Sequence, residues 1–317
     1  MVKIAIAGGA GNVGQEIIDV LAATKKHEIL LLSRKDTPTE KLAPGVTWVK
    51  INYENPDQLD EALRGVHTVL SFITAHMDPG GVAQKCLVDA AVRAGVKRFA
   101  PSEWASSKFD YMPWNDSKGV IREYLKELNK EKKVLEYTLF MAGLFTSYLT
   151  LPYKTTKHVH PMQTPIDFGN RRLLMVEGSD DVCITLTTVT DMANVVARAV
   201  EYEGEWPVAG GIRGDDLTIG EIIKMGERVR GGTFNVERLK ADDLKAGMVK
   251  STWIPTPDHP SFTPEQISEF AERMTAGVVL GISVGGLSVS DEWNQLLPDY
   301  KFTKAEDFLA EAWRDKP

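Results

Sequence analysis

Cysteine is scarce. Cys86 and Cys183 are the chain's two thiols, they stand far apart, and neither belongs to a CxxC pair or a His/Cys cluster. That excludes a disulfide scaffold and a zinc site of ordinary spacing. A basic excess is also missing: 37 Lys and Arg against 44 Asp and Glu leave a formal charge of −7, the wrong sign for a broad phosphate-backbone face. Nucleic acid is therefore not an expected partner. No apolar run is long. The weakly polar stretch 276–289 holds four glycines and is shorter than the ~20 residues of a membrane span, so no membrane association is expected. The N-terminus passes straight into a strand and a glycine turn, without the separate apolar region and cleavage site of a signal peptide, and a cytoplasmic location is the expectation. Finally, the Tyr-x-x-x-Lys pair of standard short-chain dehydrogenases is absent. Four residues before Lys118 stands Trp114, and Tyr111 is seven away.

What is present is an ordinary globular composition, with 43% hydrophobic and 26% charged residues over 317 positions, enough for about two domains. Through residue 140 short apolar runs alternate with longer amphipathic ones, the pattern of a parallel sheet wound with helices. Strands are predicted at 2–7, 28–32, 46–51, 67–73, 98–100 and 137–140, mostly uninterrupted apolar runs suited to burial on both faces. Between them, Val13, Ile17, Ile18 and Leu21 recur at helical spacing, as do Val82, Cys86, Leu87, Ala90 and Ala94, and then Ile121, Leu125 and Leu128. Gly95 suits a helix C-terminus, and Asn115, Asp116 and Ser117 supply N-cap candidates for the last of these helices.

From Pro152 the texture changes, with Pro161 and Pro165 breaking the chain. The division expected is a Rossmann domain over 1–151 and a mainly substrate-binding α/β region over 152–317, with about 185–230 packing back on the first domain. Helices are predicted at 192–200 and 219–229, a loop or hinge at 252–264 with its four prolines, and a last helix through Trp313 capped by Phe302 and Thr303.

The first strand ends in Gly8-Gly9-Ala10-Gly11-Asn12-Val13-Gly14, which reads as GxxGxxG from Gly8 and as GxGxxG from Gly9. Glycines let the backbone turn sharply and approach a pyrophosphate, whose charge meets the N-terminus of the helix opening near Val13. An NAD-selective site would place an acid at the end of strand two. Here Arg34 and Lys35 stand in that place, a fork and a point charge suited to a 2′-phosphate, so NADP(H) is the expected cofactor, with nearby Asp36 keeping NAD open. Phe72 and Ser102 lie at the carboxyl ends of strands four and five, where ligands of open α/β sheets collect. Lys118, at about 100° per residue, falls near Ile121, Arg122 and Leu125 on the flank of the apolar stripe and can reach toward a cleft. It is the candidate general acid/base.

GGAGNVG at the start, Arg34, KRFAPSEW at 97–104, the Lys118 helix with REYL at 122–125, YTLFMAGLF at 137–145, and Val189-Thr190-Asp191 together resemble the NmrA-like and isoflavone-reductase-like family of atypical short-chain dehydrogenases over nearly the whole chain. The resemblance implies an NADPH-binding Rossmann domain with a smaller α/β region over the cleft. It implies that Lys118 is the catalytic acid/base and that the turn at Gly143-Leu144-Phe145 lies beside the nicotinamide, making Phe145 and Tyr148 substrate contacts. The segment 105–114 departs from the plant reductases. Together with Trp104 it brings Phe109, Tyr111 and Trp114, an apolar wall for a ring-bearing substrate or packing for the loop. Glu103 either orients Lys118 or the substrate, or pairs with a lysine such as Lys108. His158 and His160 form an HxH pair with no evident third ligand, so no metal is expected.

The activity implied is NADPH-dependent reduction of a small aromatic or apolar metabolite by a monomer or homodimer. Two alternatives stay open, a non-enzymatic NADP(H) redox sensor acting on a protein partner, and a redox-neutral isomerase or dehydratase.

Overall fold

Alternation of two within each early strand decides how the molecule layers. The computed structural model describes residues 2–39, 42–256 and 263–317. In β1 (Lys3–Ala7) and β2 (Glu28–Ser33), Ile4, Ile6, Ile29 and Leu31 join one apolar cluster. Their neighbours Ala5, Ala7, Leu30 and Leu32 join another on the opposite face. The strands β3 (Val46–Lys50), β4 (Thr68–Ser71), β5 (Arg98–Ala100) and β6 (Glu136–Tyr137) complete a parallel six-stranded sheet of order β3-β2-β1-β4-β5-β6. The helix α1 (Asn12–Thr24) contributes Ile17, Ile18 and Leu21 to the first cluster. The second face is covered by α2 (Pro56–Ala62), α3 (Val82–Arg93) and α4 (Asp116–Leu128), through Leu59, Leu87, Ala90, Ile121 and Leu125. This is a doubly wound Rossmann sheet, and its order reverses between β1 and β4, so the ligand crevice opens at their carboxyl ends.

The predicted sixth strand is divided. Its first half is β6, whereas β7 (Leu139–Met141) pairs in parallel with β12 (Ala209–Gly211) from far along the chain. The rest alternates short strands and helices: β8 (Leu144–Phe145), β9 (Ile166–Asp167), β10 (Arg172–Val176), β11 (Cys183–Thr187), α5 (Val189–Glu201), β13 (Asp215–Thr218), α6 (Ile219–Arg230), β14 (Asn235–Leu239), α7 (Ala241–Lys245), α8 (Pro264–Ser283), α9 (Glu292–Leu296) and α10 (Ala305–Ala312). They form two small sheets, β14-β10-β9 and β13-β11-β8. α5 lies against α1, its Met192, Val195, Val196 and Ala199 buried in the first cluster. Thr218 and Glu221 close a reciprocal capping box at the start of α6.

Two helix starts differ from the sequence reading. Lys304, not Thr303, precedes α10, because the Thr303 amide and hydroxyl are both taken by the buried Asp191 carboxylate. Asn115 does stand at the N-cap of α4, but its side chain makes no capping bond there. Of the stretch read as a loop or hinge over 252–264, residues 257–262 lie outside the described residues, and its last proline, Pro264, begins α8.

Candidate functional site

The glycine loop is built by contacts that leave no room for side chains. Gly8 has φ +70°, and a Cβ there would stand 2.8 Å from the Phe72 carbonyl oxygen. Its N–H donates to the Leu32 carbonyl at 3.1 Å and to the Tyr53 hydroxyl at 2.9 Å. Tyr53 in turn donates to the Leu32 carbonyl, and burial raises its phenol above the usual range. A Cβ on Gly14 would meet Gly9 Cα at 2.8 Å, which sets how closely α1 approaches the loop. Gly11 is different. It is the N-cap residue of α1 with φ −79°, and the nearest atom to an added Cβ is the Gly8 oxygen at 3.4 Å. The crowding at Gly11 would thus come from a ligand rather than from the fold. No acidic residue occupies the first turn of α1, so the amides of Asn12, Val13 and Gly14 and the helix dipole present an unneutralised positive end.

At the end of β2, Arg34 and Lys35 are exposed and neither side chain has a hydrogen bond or ion pair among the described residues. Asp36 is paired with Lys50 at 2.5 Å. Among the described residues, the free charges beside the loop are therefore those of Arg34 and Lys35, both cationic. Loop, helix terminus and cations fit a dinucleotide pyrophosphate with a 2′-phosphate at its far end.

At the carboxyl ends of β4 and β5, Gln84 ties the floor together, its amide oxygen accepting from the Ser71 hydroxyl at 3.1 Å and the Ser102 amide at 2.9 Å. Phe72 stacks on Trp104 with ring centroids 4.2 Å apart, and Trp104 on Phe140 at 5.6 Å. Trp104 also donates its indole N–H to the Ser71 carbonyl. With 7% of its surface exposed, Trp104 is a support for Phe72 and not an open wall. Phe145 is similarly closed at 6% and meets Tyr148 edge-on at 5.6 Å. Val13, Phe72 and Tyr148 remain partly open and border the same apolar cluster. Burial pushes the Tyr148 phenol up to about 12, so it stays a neutral hydrogen-bond donor.

Lys118 lies in the first turn of α4 and donates to the Glu103 backbone carbonyl at 2.9 Å. Burial pushes its ammonium below the ordinary lysine range, Glu103 opposes that shift, and Arg122 reinforces it. Sequence reasoning gave Glu103 to Lys118, to the substrate or to Lys108, and its backbone carbonyl does hold Lys118 while its carboxylate serves none of the three. Instead both oxygens accept from the Arg122 guanidinium, at 2.9 and 2.7 Å, and Lys108 reaches the Val284 carbonyl. Arg122 continues to the Ser106 and Ser107 carbonyls and lies over the Phe109 ring at 4.2 Å. Arg122 therefore closes the whole 103–118 loop. Its signal in the sequence was a position four after Lys118, on the same helix face.

Tyr111 does not join this group. It is 44% exposed and lines a separate groove with Trp114 and α8. His158 and His160 are apart as well. The His158 ring meets Asp19 at 2.9 Å and His160 meets Lys154 at 3.5 Å. Among the described residues, no group of three or more His, Cys, Asp or Glu side chains is arranged to hold a metal, and no helix is long and apolar enough to cross a membrane.

The arrangement can be set beside known proteins. Oxidoreductase BOA1 of Botryotinia fuckeliana is 28% identical, covering 97% of this chain and 100% of its own. Among solved structures, the triphenylmethane reductase of Citrobacter sp. superposes with a TM-score of 0.68 at 21% identity, over 98% of this chain and 99% of its own. The NADPH-dependent quinone oxidoreductase QOR2 of Escherichia coli, complexed with NADPH, does so with 0.67 at 20% identity, over 98% and 99%. Such structural likeness speaks for a shared fold. The family model for NmrA-like proteins matches residues 2–309, from the first strand of the Rossmann sheet into the last helix, and by that match the chain belongs to the NmrA-like family.

Proposed function

We propose that the protein is an NADPH-dependent reductase of a small aromatic or otherwise apolar molecule, with Lys118 as its general acid. The observation that carries this reading is Lys118 itself, a desolvated ammonium held by the Glu103 carbonyl at the carboxyl end of β5. The names of similar proteins, an oxidoreductase and two reductases of ring compounds, support it.

When bound, NADPH supplies a hydride to an electrophilic carbon of the substrate. Gly8 and Gly14 shape the turn that admits the pyrophosphate, and the amides of Asn12, Val13 and Gly14 donate to it. Arg34, with Lys35 beside it, meets the 2′-phosphate and thereby selects against NADH. Phe72, backed by Trp104, and Tyr148 keep water from the reacting end of the cleft. Lys118 Nζ gives its proton to the negative charge that develops on the substrate, and its lowered pKa makes that transfer easier near neutrality.

The test is titration of the purified protein with NADPH and NADH, followed by absorbance decay against aromatic enones, quinones and benzylic ethers. Expected are preferential NADPH binding and decay that Lys118→Ala abolishes while nucleotide affinity is kept. Binding without decay on any of these substrates would favour a redox sensor, and failure to bind either nucleotide would sink both.

A further inference from the structure

Away from the glycine loop and Lys118, a groove of about 630 Å³ opens between the run-in to α4 and the helices α7 and α8. Its walls are apolar and rich in rings: Tyr111, Trp114, Phe270, Met274 and Leu280. Two of the rings stand open to solvent, Tyr111 at 44% and Phe270 at 39%. The volume lies within the range of roughly 300–1,000 Å³ that small-molecule sites occupy.

One wall of the groove is fixed by backbone packing. α8 approaches so closely that a Cβ on Gly277 would fall 2.4 Å from the Tyr111 carbonyl oxygen and 2.8 Å from Trp114, and one on Gly281 2.9 Å from Met112. Tyr111 is held at φ +64°. Tyr111 and Trp114 therefore sit on a segment whose position is set from behind.

Its charge runs against the rest of the molecule. The chain carries −7 overall, yet among the described residues the charged side chains lining the groove are Lys245 and Arg273. Lys245 has Asp242 at 3.5 Å, a loose and exposed pair. Arg273 is exposed and has no hydrogen bond or ion pair among the described residues, and neighbouring Glu272 turns away to the Val249 amide. An unpaired guanidinium on the lining of an aromatic groove complements a flat ring system bearing an anionic group.

We infer that this groove is a binding site for a planar aromatic carboxylate, its rings against Tyr111, Trp114 and Phe270 and its carboxylate on Arg273. The inference stands apart from the reductase reading, because binding here needs neither NADPH nor Lys118. It touches that site through one segment: Trp114 lies in the turn Pro113–Asn115 that leads directly into α4.

The probes are 2-naphthoate and its neutral counterpart 2-naphthalenemethanol, titrated calorimetrically into the wild type and into Arg273→Gln, with and without saturating NADPH. Expected are saturable naphthoate binding at one site per chain, affinity about tenfold lower in Arg273→Gln (about 1.4 kcal/mol), and weaker binding of the alcohol that the substitution does not change. Arg273 is exposed, so the variant folds, and matching melting curves check this. Equal naphthoate affinity in the two proteins, or no saturable binding, overturns the inference. Displacement of naphthoate by NADPH overturns it as well by assigning the site to the cofactor cleft. Sedimentation as a dimer that Arg273→Gln dissociates, without naphthoate binding, overturns it in favour of an interface between copies.

Discussion

Replacing two glycines of the loop separates a tight turn from a dinucleotide cradle. At Gly8 an alanine is resisted by the fold. Its φ of +70° is left-handed backbone, and the new Cβ would lie 2.8 Å from the Phe72 carbonyl oxygen and 2.9 Å from the carbonyl carbon, both main chain. Left-handed backbone costs an alanine about 1–2 kcal/mol, and overpacking against atoms that cannot rotate away adds roughly 1–3 kcal/mol. A loss of about 2–5 kcal/mol lowers the melting temperature of a chain this long by about 3–7 °C. At Gly11 the fold is indifferent, with φ −79° and ordinary contact at 3.4 Å. Losing glycine at an N-cap costs up to about 1 kcal/mol. Reduced freedom of the unfolded chain returns about 0.4–1 kcal/mol, so Gly11→Ala should melt within about 1 °C of the wild type. Its methyl nonetheless points where a pyrophosphate must approach, and NADPH affinity should fall at least about tenfold. Melting by circular dichroism and fluorescence titration with NADPH measure both quantities. If Gly11→Ala binds NADPH as tightly as the wild type, the loop is only a turn. If Gly8→Ala melts unchanged, the steric reasoning is wrong.

Arg34→Ser should weaken NADPH binding by about tenfold to a hundredfold and leave NADH binding unchanged, since charged hydrogen bonds contribute roughly 1.5–3 kcal/mol; isothermal titration with both nucleotides checks this. A proton donor fails as pH rises through its pKa, so turnover should decline on the basic side at the lowered pKa of Lys118. Arg122→Gln removes a charge that depresses this pKa and frees one that raises it, so a pH–rate profile should show the basic limb moving to higher pH. The same variant strands the buried Glu103 carboxylate and should lose about 3–5 kcal/mol of stability in urea unfolding. Thr218→Ala breaks the capping box at α6 and should cost about 1 kcal/mol of stability with turnover intact.

Much of the site was legible because it is local. The glycine loop needs only a strand before it, a helix after it and glycines where backbone must crowd, all of which lie within residues 3–24. Arg34 and Lys35 were equally plain, since the end of β2 is defined by the apolar run that precedes it. The contribution of Tyr53 was hidden, because its hydroxyl meets Gly8 across 45 positions of sequence. Glu103 was only partly read for the same reason: its carbonyl does hold Lys118, but nothing near it in sequence says that Arg122, 19 residues on, will take both of its carboxylate oxygens. The aromatic segment 104–114, open in sequence between a substrate wall and loop packing, became three things, Trp104 stacked into the core, Phe109 under Arg122, and Tyr111 with Trp114 in a groove against α8.

By itself, then, the sequence determined the parallel sheet, its two covered faces and the glycine turn that opens α1 with no acid in its first turn, since periodicity and glycine placement act over a few residues. The tertiary structure decided which side chains remain free to act. Whether a carboxylate, a ring or an ammonium is spent on packing or left open depends on partners that folding alone brings together. It left Arg34 unpaired, paired Glu103, and desolvated Lys118.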